Sequence, residues 1–171
     1  MLATLMANEQ RLSITESKEV PGGIPGFTSF YATGSFVPTL VGSGVAGTFT
    51  YTANATIVEW ARIGNRLFFN GRIVITVITV APTLNMTVNG WPYAGVSDTN
   101  MAIAGVGPVI WRGIVLPANY WSVALQFANG SATPSLIRSG TNNALATVQG
   151  AEIALVGGSF ELRFGGEYRV A

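Results

Sequence analysis

Residues able to do acid/base, nucleophilic or metal chemistry are scarce in this 171-residue chain. It contains neither histidine nor cysteine, so the commonest general base, the commonest transition-metal ligand and the thiolate nucleophile are all missing. Lys18 is the only lysine and Asp98 the only aspartate. Asp98 lies in Val96-Ser97-Asp98-Thr99-Asn100, a run that reads as turn chemistry, with short polar side chains bonding their own backbone. Past the first twenty residues the glutamates are Glu59, Glu152, Glu161 and Glu167. Glycoside hydrolysis needs two carboxylates flanking one bond, and no spacing here pairs them. Glu59 with Arg62 and Glu161 with Arg163 look instead like ion pairs. No Gly-x-Ser-x-Gly elbow is present. Gly42-Ser43-Gly44 and Gly22-Gly23 lack the Gly-Lys-Ser/Thr that a phosphate loop requires ahead of a helix. The sequence predicts a non-enzymatic protein with no cofactor and no metal.

Binding chemistry is better supplied. Four Trp, five Tyr and nine Phe include candidates at loop edges: Trp91 and Tyr93 around Pro92, and Asn119, Tyr120 and Trp121. Trp91, Tyr93, Asn119 and Tyr120 could hold a sugar, the rings by stacking and the amide by bonding hydroxyls. The favoured reading makes Trp91, Trp111 and Trp121 core or subunit-interface anchors, where aromatics concentrate. The net charge is +1, and the eight arginines are scattered singly. Nucleic-acid binding usually needs a clustered positive face that displaces counterions, and the linear sequence shows none. Nucleic acid is therefore not an expected partner.

The chain is 49% hydrophobic and 10% charged. Five of its seventeen charged residues (Glu9, Arg11, Glu16, Lys18, Glu19) fall in the first twenty positions. Apolar surface in such excess is at home in an obligate interface, so self-association is expected. A monomer whose large sheets need few charges is the alternative. The apolar runs at 73–81 and 101–111 are too short for a membrane helix, and Asn8, Glu9 and Arg11 interrupt any secretion signal. A soluble chain with no membrane partner is expected.

The elements that must position these residues are mostly strands. Residues 2–13 are the one helix candidate, with Leu2, Leu5, Met6 and Leu12 near helical spacing. Pro21-Gly22-Gly23-Ile24-Pro25-Gly26 then breaks any regular element. Residues 1–33 read as an anchoring arm and linker, or as a helix packed on its own domain. From residue 34, Gly-rich turns alternate with Thr, Val, Ile and aromatic runs, the pattern of an all-β antiparallel sandwich over 34–171. Strands are predicted near 35–40, 47–52, 55–63, 66–80, 84–89, 100–106, 108–116, 120–128, 135–139, 151–156 and 159–170. A tight turn is expected at Gly64-Asn65. Alternation puts Trp121, Val123, Leu125 and Phe127 on one face, and sets Phe160, Leu162 and Phe164 opposite Glu161 and Arg163.

Three segments carry a family resemblance: 34–43 (Gly-Ser-Phe-Val-Pro-Thr-Leu-Val-Gly-Ser), 47–51 (Gly-Thr-Phe-Thr-Tyr) and 62–73 (Arg-Ile-Gly-Asn-Arg-Leu-Phe-Phe-Asn-Gly-Arg-Ile). Together they resemble the C-terminal knob domain of tailed-phage tail fibres and spikes, with its "G-x-(W/F)-x-P-x-(L/I)-x-G" opening, "G-T-x-x-Y" strand and "K/R-I-G-x-x-(V/L)-x-(F/V)-x-G" hairpin. Val88-Asn89-Gly90-Trp91-Pro92-Tyr93 is similar to the family's "G-L-P-F" segment, and the ending at 164–169 to its closing "G-x-Y" strand. The resemblance spans about 34–169 and rests on turn and packing residues. It implies a homotrimeric, jelly-roll-like β-sandwich knob on a phage virion, made in the host cytoplasm. The knob has only about 33 residues ahead of it, so a small capsid decoration (cement) protein is the leading expectation. Its arm, through Leu2, Leu5, Met6, Leu12 and Ile14, would bind the major capsid protein, another virion protein or a neighbouring protomer. The alternative is a tail-fibre tip recognising host surface glycans, with Trp91, Tyr93, Asn119 and Tyr120 as trimer-interface or glycan residues.

Overall fold

The computed structural model describes residues 31–97, 102–141 and 143–170. Among the described residues eleven strands run in chain order: β1 (Tyr31–Phe36), β2 (Thr39–Gly42), β3 (Thr48–Tyr51), β4 (Ile57–Ile63), β5 (Arg66–Val80), β6 (Met86–Asn89), β7 (Ile103–Arg112), β8 (Tyr120–Ala128), β9 (Ser135–Gly140), β10 (Asn143–Thr147) and β11 (Phe160–Arg169). A 3-10 turn covers Gly150–Glu152. The expected all-β antiparallel class is what the chain adopts: every strand pairing is antiparallel. The helix at 2–13 and the linker at 21–26 lie outside the described residues.

Two sheets share β7. The first has the order β1-β4-β5-β11-β7, with β3 on the far half of β5; the second runs β7-β8-β9-β6-β2, with β10 on β9. β7 pairs with β8 over Ile103–Pro108 and with β11 over Val109–Arg112. Pro108 sits at the changeover, where a residue without an N–H costs the ladders least. The expectation of separate strands at 100–106 and 108–116 is corrected accordingly: the chain runs through Pro108 and changes partner there. Glycines let the first half of β7 cross close over β11. A Cβ on Gly105 would lie 2.5 Å from the Glu167 carbonyl oxygen, and one on Gly107 would lie 3.0 Å from that of Gly165.

The hairpin between β4 and β5 turns at Gly64-Asn65 as expected, and Gly64 takes φ +59. Three other expectations are revised. The strand placed at 35–40 divides at Pro38 into β1 and β2, which join different sheets. No strand covers 151–156, because Gln149 and Glu152 cap a 3-10 turn and leave only an isolated bridge between Ile114 and Ile153. β10 arises where no strand was expected, since Asn143–Thr147 carries little of the β-branched signal that marks the others.

The core lies between the sheets and is aromatic at one end. Trp91, 7% exposed, meets Phe127 at 4.8 Å, Phe69 at 4.9 Å and Phe36 at 5.3 Å, all edge-on. Phe127 stacks on Tyr168 at 4.0 Å. The Trp91 indole N–H donates to the Val88 carbonyl at 3.0 Å, and the Tyr168 hydroxyl donates to that of Tyr93 at 2.8 Å. Rings thus come from β5, β8, β11 and the segment after β6. Each such pair adds roughly 0.5–1.5 kcal/mol beyond area burial. Leu67, Ile73, Ile75, Leu125, Leu136, Phe160 and Leu162 continue the core with no exposed surface.

Candidate functional site

The arginines that look scattered in sequence gather on one surface. Alternation along β11 buries Phe160, Leu162, Phe164 and Tyr168 and turns Glu161, Arg163, Glu167 and Arg169 outward. Register then brings outward residues of neighbouring strands alongside. Arg72 of β5 lies opposite Arg163, Arg66 opposite Arg169, and Arg112 of β7 opposite Glu161. Five of the seven described arginines therefore stand on the outer face of the first sheet, against Glu59, Glu161 and Glu167. Five minus three leaves a surplus of two positive charges.

Glu161 is the hub. Its Oε1 accepts from Arg163 Nε at 2.7 Å and Arg72 Nε at 2.8 Å, and its Oε2 lies 3.4 Å from Arg112 Nη2. Arg112 also donates to Ser159. The hydrogen bond from Arg163 holds the Glu161 carboxyl below its usual range, opposed next by burial and reinforced by the hydrogen bond from Arg72 and the charges of both arginines. The carboxylate is 13% exposed, whereas Arg72, Arg112 and Arg163 are 42%, 48% and 60% exposed. Arg66 pairs with Glu167 lower on the face. Exposed apolar side chains interleave with these charges: Ile57 beside Arg72, Phe68 beside Glu167 and Ile110 beside Arg163. Among the described carboxylates, Glu161, Glu167 and Glu152 each carry an arginine partner. A general acid needs its pKa raised, and Glu161 is shifted the other way.

The second sheet presents the opposite character. Nine of the eleven described charged side chains belong to the first sheet. The other two, Arg138 and Glu152, pair with each other at 12% and 11% exposure, with the guanidinium 4.7 Å above the Tyr120 ring. Among the described residues, the outer face of the second sheet is built of neutral residues. Val106, Gln126, Ser135, Thr87 and Val41 are in register across five strands, Pro108 faces Ala124, and the Ser122 and Ser139 hydroxyls meet at 2.5 Å.

The four residues singled out for sugar or interface contact separate into two places. Trp91 is a core residue of its own chain. Tyr93 is half-buried, edge-on to Trp60 at 5.5 Å and 4.7 Å beneath the Arg62 guanidinium. Asn119, with φ +68, forms the turn into β8, where the Tyr120 hydroxyl donates to the Ala144 carbonyl at 3.3 Å. Trp91 sits against Phe127, seven residues along β8 from Tyr120, which is roughly 20 Å at ~3.3 Å per residue. Trp121 lies at a register irregularity of β8 and is 58% exposed, apart from the buried face of Val123, Leu125 and Phe127. The arm residues Leu2, Leu5, Met6, Leu12 and Ile14 lie outside the described residues. Of the expected ion pairs, Glu161–Arg163 forms. Glu59 and Arg62, three apart on one strand, point to opposite faces, and Arg62 donates to the Gly64 carbonyl instead. Sequence reading missed the arginine face because its arginines are spread over β5, β7 and β11, strands far apart in the chain; the only signal was their outward parity.

No protein-family model matches the chain, and no curated protein sequence is significantly similar to it. Among solved structures, the crystal structure of the Dettilon tailspike protein (gp208) matches 82% of this chain with a TM-score of 0.58 at 18% sequence identity. This chain shares its fold with part of that protein. It spans about a quarter of that protein's length, 24% of its chain. The tailspike-like fold agrees with the resemblance read from the turn and packing residues of 34–169.

Proposed function

We propose that this protein is a virion structural module of a tailed phage, located on the tail and working as a homo-oligomer. The observation that carries the reading is the tailspike-like fold across 82% of the chain. Capsid decoration, the leading expectation from sequence, depends on an arm at 1–33 of which residues 1–30 lie outside the described residues, so the fold likeness favours the tail. Self-association is supported by the uncharged outer face of the second sheet. Desolvating an ionised group costs several kcal/mol, and the described residues of this face include none. The cores of interfaces are likewise depleted of charge. The first sheet is the poorer candidate, since packing its surplus charge on a second copy of itself sets like charges together. The resemblance implies a trimer.

Gold-labelled antibody against this protein on purified virions tests the location. Label confined to the tail in a small number of copies is expected. Label spread over the shell would replace this reading with capsid decoration.

A further inference from the structure

We propose that residues 2–19 form a helix that lies on the outer face of the first sheet of their own chain; this goes beyond the virion reading and does not depend on it. The sequence up to Glu19 contains no glycine or proline, and Leu2, Leu5, Glu9, Leu12, Glu16 and Glu19 recur at steps of three and four. At about 100° per residue these six fall on one side of a helix, and Arg11 and Lys18 fall on the other. An ordinary surface helix turns its charges away from its leucines. Here every glutamate of the segment shares the leucine stripe, which fits a surface both apolar and positive. So short a helix is marginal alone in water and needs such a surface to pack on.

The outer face of the first sheet has that character. Register sets Tyr31, Ile63, Arg66 and Arg169 in one row across β1, β4, β5 and β11, and Ile57, Arg72, Arg163 and Ile110 in another across β4, β5, β11 and β7. Phe68 stands between the rows. Tyr31, Ile57, Ile63, Phe68 and Ile110 are each 40% or more exposed, and apolar side chains grouped in this way mark a contact surface. Arginines outnumber glutamates on this face, whereas residues 2–19 carry three glutamates against Arg11 and Lys18. The neutral outer face of the second sheet offers those glutamates no partner among the described residues. Exposed ion pairs are individually weak, so the leucines supply most of the attachment and the charges fix its place.

The chain also enters the fold at this face. Tyr31 opens β1, the edge strand of the first sheet, and its side chain shares the outer row. The stretch from Glu19 to Tyr31 reaches about 40 Å when extended, while β11 lies only about 15 Å from β1 across the sheet. Pro21-Gly22-Gly23-Ile24-Pro25-Gly26 lets that stretch reverse direction. A helix over 2–19 would be about 27 Å long, against about 20 Å of strand between the two rows.

The test uses the full chain, whose lack of cysteine makes an introduced one unique. Asn70→Cys puts a benzophenone maleimide in the middle of the face, between Glu59 and Gly165. Gln126→Cys puts the same label on the outer face of the second sheet. Photolysis, trypsin digestion and mass spectrometry then read what each label touches. Asn70→Cys should cross-link to residues 2–19, and Gln126→Cys should not. In oligomers assembled from isotope-labelled and unlabelled chains, the cross-links should stay within one chain. Glu9→Lys with Glu16→Lys and Glu19→Lys should cut the yield several-fold, whereas Arg11→Glu with Lys18→Glu should leave it undiminished. None of these charge changes lies in the sheet, so circular dichroism should show the strands intact. No cross-link from Asn70→Cys to residues 2–19, an equal yield from Gln126→Cys, cross-links mainly between chains, or the same response to both charge sets overturns the proposal.

Discussion

One Glu161 carboxylate holds three guanidinium groups, so its titration reports on the whole face. Its carboxyl is depressed from 4.5 in the folded chain. Its contribution to stability is therefore present above 4.5 and lost as pH falls through the folded value. Thermal melts should show wild type losing stability below that pH more steeply than Glu161→Gln. At neutral pH the substitution should cost less than about 1 kcal/mol, since its partners remain solvated. Tyr168 runs the other way. Burial holds its phenol well above 10.0, so its contribution is complete below 10.0 and declines as pH rises through the folded value. Tyr168→Phe should lower stability by about 1 kcal/mol through the lost bond to the Tyr93 carbonyl, a fall of roughly 2–4 °C in Tm. It should also flatten the alkaline limb of the melting profile.

β7 is the element on which the architecture turns, because among the described strands it alone pairs into both sheets. Its crossing over β11 depends on the missing side chains of Gly105 and Gly107. Gly105→Ala would set a methyl 2.5 Å from the Glu167 carbonyl oxygen and 2.6 Å from the Tyr168 Cβ, and neither neighbour is the end of a flexible side chain. The expected cost is about 1–3 kcal/mol, measured by denaturant midpoint. The loop after β6 presents the complementary case: Trp91→Ala would remove the ring that meets Phe36, Phe69 and Phe127. A loss of about 3–5 kcal/mol is expected, a large share of the roughly 5–15 kcal/mol typical of a domain. A melting temperature within a few degrees of wild type would show that Trp91 does not hold the core together.

At the scale of the molecule, the two sheets divide the labour of solubility. The first sheet carries the ionised groups that face water, and the second leaves a neutral surface. Ala124→Asp places a charge at the middle of that surface, opposite Pro108 and Ile137. Sedimentation velocity should then find a smaller species with unchanged far-UV circular dichroism, whereas Arg163→Gln should keep the wild-type assembly. An unchanged sedimentation coefficient for Ala124→Asp would remove the second sheet from the interface.

Period-two alternation and glycine-marked turns were enough to read the all-β class, the hairpin at Gly64-Asn65, the buried face of β11 and the Glu161–Arg163 pair. These features are local, decided by residues within a few positions of one another. The grouping of Arg66, Arg72, Arg112, Arg163 and Arg169 was not legible, nor was the passage of Trp91 from loop edge to core. Alternation states which way a side chain points but not which strand lies beside it. That neighbour is chosen by non-local register, which only the tertiary structure fixes: here it brings β11, at the end of the described chain, between β5 and β7.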